Sequence, residues 1–330
     1  MKSEVIEAKH HTQEAKQETQ SEVKEVKQEA QEVKRHTQEA QEVKQESQSE
    51  VKEAHEVNPE VIAIADIQNR MPLLRSRLGV WLVKRLFRLL AIDKVNEIHA
   101  RHCHLRGAAF TSSMLADPMM NVSYRLHNSE ALNALPEGAF ITVSNHPVGS
   151  LDGIILIDIF ASRRPDFRVM VNGVLSQINA MGDNFISVTP KTSDNKSPNP
   201  NNINGVRLAI AHIREGHPIG FFPAGAMSFY DVRNKTVRDL PWTHSVIRII
   251  RKAGLPVIPV YFDCLNSKFF YRLGRINWKL RVLRVAIEAF NKRGRTLDVH
   301  IRQAIPHDTV RQFTDDVSLA EFLYKSTYGK

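Results

Sequence analysis

Residues 138–160 read GAFITVSNHPVGSLDGIILIDIF. An apolar run from Phe140 to Val143 enters Ser144-Asn145-His146-Pro147, and Pro147 ends the strand because it has no N–H for a ladder. Gly149-Ser150 opens a second apolar run of helical length, with Ser150 expected as its N-cap and Asp152 in its first turn. Strand, tight turn and helix in 23 residues are the unit of an α/β fold. The same unit places an imidazole at a strand end, facing a carboxylate at a helix start. A carboxylate bonded to one ring nitrogen fixes the tautomer and raises the basicity of the other, which is what a general base acting on a hydroxyl requires. The spacing alone also fits a turn histidine beside an aspartate that only complements the helix dipole.

The pattern continues on both sides. Short β-rich runs stand at 121–126, 168–171, 184–188, 218–222, 256–262, 280–287 and 297–303, with 139–144 as the strand of the opening stretch. Helical patterns stand at 150–162, 173–180, 203–214 and 242–253. In 203–214, Ile203, Val206, Ile210 and Ile213 recur at spacings of three and four. This alternation predicts an α/β fold with a mixed, largely parallel sheet flanked by helices. The stretch 189–202, TPKTSDNKSPNPNN, reads as a loop by composition.

Composition divides the chain. Of 330 residues, 45 are Lys or Arg and 36 Asp or Glu, a net of +9. Residues 1–57 hold nine basic residues against fourteen Glu, a net of −5, and contain no Leu, Phe, Tyr, Trp or Gly. Phrases repeat there: QEAQEVK at 28–34 and 38–44, HTQEA at 11–15 and 36–40. A loose heptad (Val23, Val26, Ala30, Val33, Thr37, Ala40) has a seam half small or polar, so a frayed helix or disordered tail is expected before a coiled coil. Asn58-Pro59 is a natural stop. Residues 58–330 carry 36 basic against 22 acidic residues, +14, and are expected to form one domain with affinity for something anionic.

Within that domain, 71–92 (MPLLRSRLGVWLVKRLFRLLAI) sets Leu78, Leu82, Leu86 and Leu89 on one face and Arg77, Lys84 and Arg88 on another. No acid accompanies them. The stretch reads as a basic amphipathic helix, packed on the core or lying on a membrane surface. No apolar run is long enough to span a bilayer, and no signal peptide is expected. With only Cys103 and Cys264 the chain fits a reducing compartment. His99, His102, Cys103 and His104 lie close together, but no second ligand pair follows at finger spacing, so no metal is expected.

Two further segments bear on chemistry. GHPIGFFPAGAMS, 216–228, is an apolar strand ending in Phe222-Pro223-Ala224-Gly225, a Pro-x-Gly turn that exposes backbone N–H groups at a sheet edge. Gly225 suits a tight turn on its own physics. LPVIPVYFDCLNS, 255–267, is an apolar strand with an internal Pro259, which marks an edge, a bulge or a site margin.

Taken in order, Asn145-His146 with Asp152, Phe222-Pro223-Ala224-Gly225 with Ser228, and Val257-Ile258-Pro259-Val260 resemble the first, third and fourth motif blocks of the glycerolipid acyltransferase superfamily, the lysophosphatidate type. NHPVGSLDG, FPAG, DLPW and NSKFFYRLG are more similar to its bacterial haemolysin-labelled branch, which includes the O-acyltransferases of ornithine- and glycine-lipid synthesis. The resemblance covers about 90–305. It implies that His146 deprotonates an acceptor hydroxyl, that Asp152 orients it, and that the alkoxide attacks an acyl thioester on acyl carrier protein or coenzyme A with no cofactor and no metal. It also implies substrate contacts from Asn145, Gly149, Ser150, Lys191, Phe222, Pro223, Gly225, Ser228 and Pro259, and backbone stabilisation of the oxyanion near 222–228.

There are departures. Five residues, not four, separate His146 from Asp152, as in the bacterial branch. Ala224, Ala226 and Met227 replace the Glu, Thr and Arg of the wider family's third block. Val188 stands where its phosphate-associated Arg belongs, and Val cannot read a phosphate. Lys191 nearby is only a point charge. A lyso-aminolipid acceptor is therefore expected ahead of lysophosphatidate, on the cytoplasmic face of the plasma membrane, with acyl carrier protein and anionic lipid as partners and no nucleic acid. A thioesterase using water as acceptor, and a non-catalytic membrane adaptor, are the rival readings.

Overall fold

The computed structural model describes residues 59–172, 178–188 and 200–329, within the compact unit Glu56–Lys330. The repeat tail, most of the 173–180 helix, Lys191 and nearly all of the 189–202 loop lie outside the described residues.

Four helices precede the sheet: α1 Ile64–Arg70, α2 Arg77–Leu89, α3 Ile92–His102 and α4 Gly107–Ala116. Then come β1 Ser123–His127, β2 Ile141–Ser144, α5 Ser150–Ala161, β3 Arg168–Asn172, β4 Phe185–Val188, α6 Pro200–Arg214 and β5 Ile219–Phe221. A two-stranded hairpin, β6 Phe229–Asp231 and β7 Thr236–Arg238, leads to α7 His244–Ala253 and β8 Val257–Asp263. Three short helices, α8 Lys268–Ile276, α9 Trp278–Leu283 and α10 Val285–Phe290, precede β9 Thr296–Ile301, α11 His307–Arg311 and α12 Asp316–Tyr328.

The sheet runs β1-β9-β8-β2-β5-β3-β4. Every neighbouring pair is parallel except β8 with β9. It is the mixed, largely parallel sheet the alternation predicts. Side chains alternate between its faces. Phe140, Ile258 and Val260 join Leu151, Ile155 and Phe160 of α5 and Phe110 of α4 on one side. Ile141, Val143 and Val257 join Ile247 and Ile250 of α7 and Leu319 and Leu323 of α12 on the other. Both faces are covered, which is why the central strands read as continuous apolar runs. From Leu151 to Ala161 every residue of α5 is buried, as a helix apolar all round must be. Of its two buried carboxylates, Asp158 is satisfied by Thr111, Ser112 and Tyr124 hydroxyls.

Three local expectations are corrected. Residues 280–287 are not a strand. The Asn277 side chain accepts from the Lys279 amide at 2.8 Å and starts α9, and Glu288 fixes α10 through Ser267 and Arg284. Residues 71–92 are not one helix. Ser76 caps α2 by accepting from Gly79 N at 3.1 Å, and Ala91, at φ 57°, turns the chain before α3. The leucine face expected along it is outward: Leu78 is 67% and Leu89 70% exposed, while Gly79, Val83 and Phe87 face the core. The N-cap of α5 is Gly149, and Ser150 is its first residue. Pro259 sits inside the sheet at a bulge. Between its pairings with Ile305 and Ile301, β8 advances three residues while the partner segment advances four. The missing amide falls in that gap.

Candidate active site

Strand β2 is central and wholly buried, and it delivers His146 two residues beyond its end. Asn145 fixes that exit. Its carboxamide Nδ2 donates to Phe262 O at 2.9 Å, and its Oδ1 accepts from Phe262 N at 2.7 Å. The side chain extends the β2–β8 pairing by one rung, so both ends of its amide are used in the scaffold.

His146 Nδ1 lies 3.0 Å from Asp152 Oδ2. The same oxygen accepts from the amides of Val148 and Gly149, each at 2.9 Å. Asp152 is 1% exposed. Removing a buried carboxylate that holds three donors would strand them at about 1–3 kcal/mol each. Gly149 makes the arrangement possible. Its φ of 97° and ψ of −115° belong to glycine, and a Cβ there would stand 2.7 Å from Met227 Sδ. The imidazole stacks on Phe222, centroids 4.2 Å apart.

The Phe222–Ser228 turn closes over the histidine. Gly225 N donates to Phe222 O at 2.9 Å, with Gly225 exposed at φ +67°. Pro223 is buried, and its carbonyl accepts from Thr243 N at 2.8 Å. Ser228 N donates to His146 O at 2.8 Å. Its hydroxyl donates to Asp239 Oδ1, while Asp239 Oδ2 accepts from His146 N at 3.1 Å. The Tyr328 hydroxyl of α12 also meets this carboxylate. Burial raises the Asp239 carboxyl above the ordinary aspartate range, against these hydrogen bonds. A third support comes from α9. Arg281 Nη1 and Nη2 donate to Ser228 O and Met227 O at 3.0 and 3.1 Å.

On the other flank, Asn266 Nδ2 donates to Val148 O at 3.3 Å, and its Oδ1 stands 3.5 Å from Lys292 Nζ. Lys292 is buried, and desolvation lowers its pKa despite the nearby Glu288 and Asp152 charges. No group of three or more His, Cys, Asp and Glu among the described residues could hold a metal ion. In the His99–His104 stretch, His99 is buried with Nδ1 3.0 Å from Pro59 O, and His102 meets Asp117 at 2.8 Å.

Of the residues expected from sequence, His146, Asp152, Gly149, Phe222 and Ser228 come together. Ser150 begins α5 beside them, and Gly225 and Pro223 shape the turn. Pro259 stays in the sheet opposite Val143, three residues short of His146. Asp239, Asn266 and Arg281 were not among the expected site residues. Asp239 and His146 are 93 residues apart in the chain, so no local spacing links them. The phrase DLPW, which Asp239 opens, was the one signal near it.

An acyltransferase family matches residues 66–328. Two curated proteins are similar to the chain. A lyso-glycine lipid O-acyltransferase of Bacteroides thetaiotaomicron is 28% identical over 204 residues, 59% of this chain and 71% of that protein. A protein of the same description from Phocaeicola vulgatus is 27% identical over 207 residues, 60% and 71%. Among solved structures, the 1-acyl-sn-glycerophosphate acyltransferase of Thermotoga maritima aligns over 76% of this chain and 93% of that one, at 16% identity and a TM-score of 0.42.

Proposed function

The chain belongs to the acyltransferase family and is an acyltransferase, and from that premise we propose that it moves a fatty acyl group from an acyl thioester to the hydroxyl of a single-chain lipid. The observation that carries the mechanism is the His146 Nδ1–Asp152 Oδ2 contact at 3.0 Å. With Nδ1–H held by the carboxylate, Nε2 is the free base. It takes the proton of the acceptor hydroxyl, and the oxygen attacks the thioester carbonyl carbon. The tetrahedral intermediate collapses with cleavage of the C–S bond, and the thiolate recovers the proton from the imidazolium. Positioned proton transfer of this kind contributes about 10²–10⁴-fold in rate. Residues 58–330 are the acyltransferase domain in this reading, and 1–57 an appended tail. The donor is acyl carrier protein or coenzyme A, without a cofactor.

The acceptor is a lyso-aminolipid in preference to lysophosphatidate. The curated relatives' name favours it, and so does Val188. Gly205 brings α6 so close that a Cβ there would be 2.5 Å from Val188 Cγ1, so the side chain at the position of the wider family's phosphate-associated Arg is engaged in helix packing. Among the described residues no helix is long and apolar enough to cross a membrane. The exposed Leu78, Trp81, Leu82, Leu86 and Leu89 of α2 favour a lipid surface. Burying half of each contributes about 1 kcal/mol per side chain, and the Arg and Lys beside them add attraction to anionic lipid.

The test is an acceptor panel with the purified full chain and labelled acyl–acyl carrier protein: N-(3-hydroxyacyl)glycine, N-(3-hydroxyacyl)ornithine, lysophosphatidate and a lysophospholipid. Preferential acylation of an N-(3-hydroxyacyl) amino acid is expected. Preference for lysophosphatidate would overturn the acceptor assignment, and free fatty acid as the sole product would indicate hydrolysis instead.

A further inference from the structure

Between Cys264 and Ile287 the chain has six Lys and Arg and no Asp or Glu. This stretch forms α8, α9 and the start of α10. Phe270, Tyr271 and Arg281 make its inner side, each buried. The outer side is apolar: Leu265 is 55% exposed, Phe269 51%, Ile276 76%, Trp278 45%, Leu280 43% and Leu283 55%. Lys268, Arg272, Arg275 and Lys279 are exposed among them.

Single exposed apolar residues are ordinary, but five on two consecutive short helices, with Leu265 just before them, mark an interaction surface. The charge pattern selects the partner. Cations without acids fit any anionic surface, and the exposed Ile276 and Leu283 call for an apolar layer beneath the charge. An anionic phospholipid bilayer accepts both, with headgroups at the cations and acyl boundary at the apolar side chains.

The same helices touch the catalytic loops. Asn266, beside Leu265, donates to Val148 O, and Arg281 donates to the carbonyls of Met227 and Ser228. We infer that the α8–α9 pair is a second lipid-binding surface, separate from α2, that seats on an anionic bilayer and holds the His146 loop and the Phe222–Ser228 turn beside the membrane carrying the acceptor. This rests on the lipid-acceptor reading, but it is measured without turnover.

The chain has three tryptophans: Trp81 on α2, Trp278 on α9 and the buried Trp242. Full-length Trp81→Phe protein is mixed with phosphatidylglycerol vesicles containing bromine-labelled lipid, and compared with Trp81→Phe/Trp278→Phe. The first is expected to show fluorescence quenching that the second loses. Ile276→Ser/Leu283→Ser, at exposed positions, is expected to need at least about ten-fold more anionic lipid for half-maximal cosedimentation, with an unchanged circular dichroism spectrum. Equal quenching in the two tryptophan variants would overturn the proposal. So would vesicle binding unaffected by Arg275→Glu/Lys279→Glu while binding of acyl carrier protein without lipid is lost, since that assigns the surface to an acidic protein. Quenching without acyl transfer to any acceptor would sink the proposed function and leave this surface standing.

Discussion

One oxygen of Asp152 accepts from the His146 ring, the Val148 amide and the Gly149 amide, so the group that orients the proposed base also builds the turn presenting it. Substitution there has two separable effects. Asp152→Asn is expected to cut kcat by about 10²-fold or more by losing control of the tautomer, and also to lower the urea midpoint. Asp239 touches the histidine only through its backbone amide and is a positioning residue. Asp239→Asn is expected to lower kcat by about ten-fold with KM nearly unchanged, since small misplacements of a base are costly in rate. A rise in KM alone would place Asp239 in substrate binding instead. The His146–Asp152 pair was legible in the sequence because six positions join a strand end to the next helix. Asp239 was not, because its link to His146 exists only once β7 folds back.

Among the elements, the strand-turn-helix units were legible because the central strands are buried on both faces and bounded by Pro and Gly. The stretch 280–287 was not, because Val282, Val285 and Ile287 have the local look of a strand while its helices are set by distant partners. Arg281 reaches Ser228 across 53 residues, and Glu288 reaches Ser267 across 21. Glu288 gives this a pH signature. Burial pushes its carboxyl up, but the Ser267 hydroxyl and amide and the Arg284 guanidinium outweigh that and hold it below the ordinary glutamate range. A depressed folded pKa means stability present above the unfolded value, about 4.3, and lost as pH falls through the folded one. Urea unfolding between pH 7 and pH 3 is expected to show Glu288→Gln less stable than wild type by about 2–4 kcal/mol at pH 7, with the difference shrinking toward pH 3. A difference that does not vary with pH would contradict the assignment. In the α5 cap, Gly149→Ala is expected to cost about 1–3 kcal/mol in the same assay, since it forces an alanine to a glycine-only φ,ψ beside Met227.

For the whole molecule, charge is unevenly placed: −5 in residues 1–57 and +14 in the remainder. Composition made that division legible. It did not show which apolar residues of α2 the fold leaves outside, because Leu78 and Val83 are both apolar, and only the packing separates them. Deleting residues 1–57 is expected to leave acyl transfer within a few-fold, and loss of soluble folded protein on that deletion would contradict it. Binding to anionic vesicles is expected to weaken as salt rises, because exposed cations are screened within about 8 Å at physiological ionic strength, whereas binding independent of salt would leave the positive field without a role.

The central claim is that His146 is the base in direct transfer from thioester to lipid hydroxyl, and His146→Ala tests it most directly. Full-length wild type and variant, shown to share one circular dichroism spectrum, are given labelled acyl–acyl carrier protein and N-(3-hydroxyacyl)glycine, and the diacylated product is counted. Product from wild type, with the variant slower by about 10²–10⁴-fold, is the predicted result. A variant within ten-fold of wild type would contradict it, and the imidazole would then be a structural member of the turn that Asp152 holds.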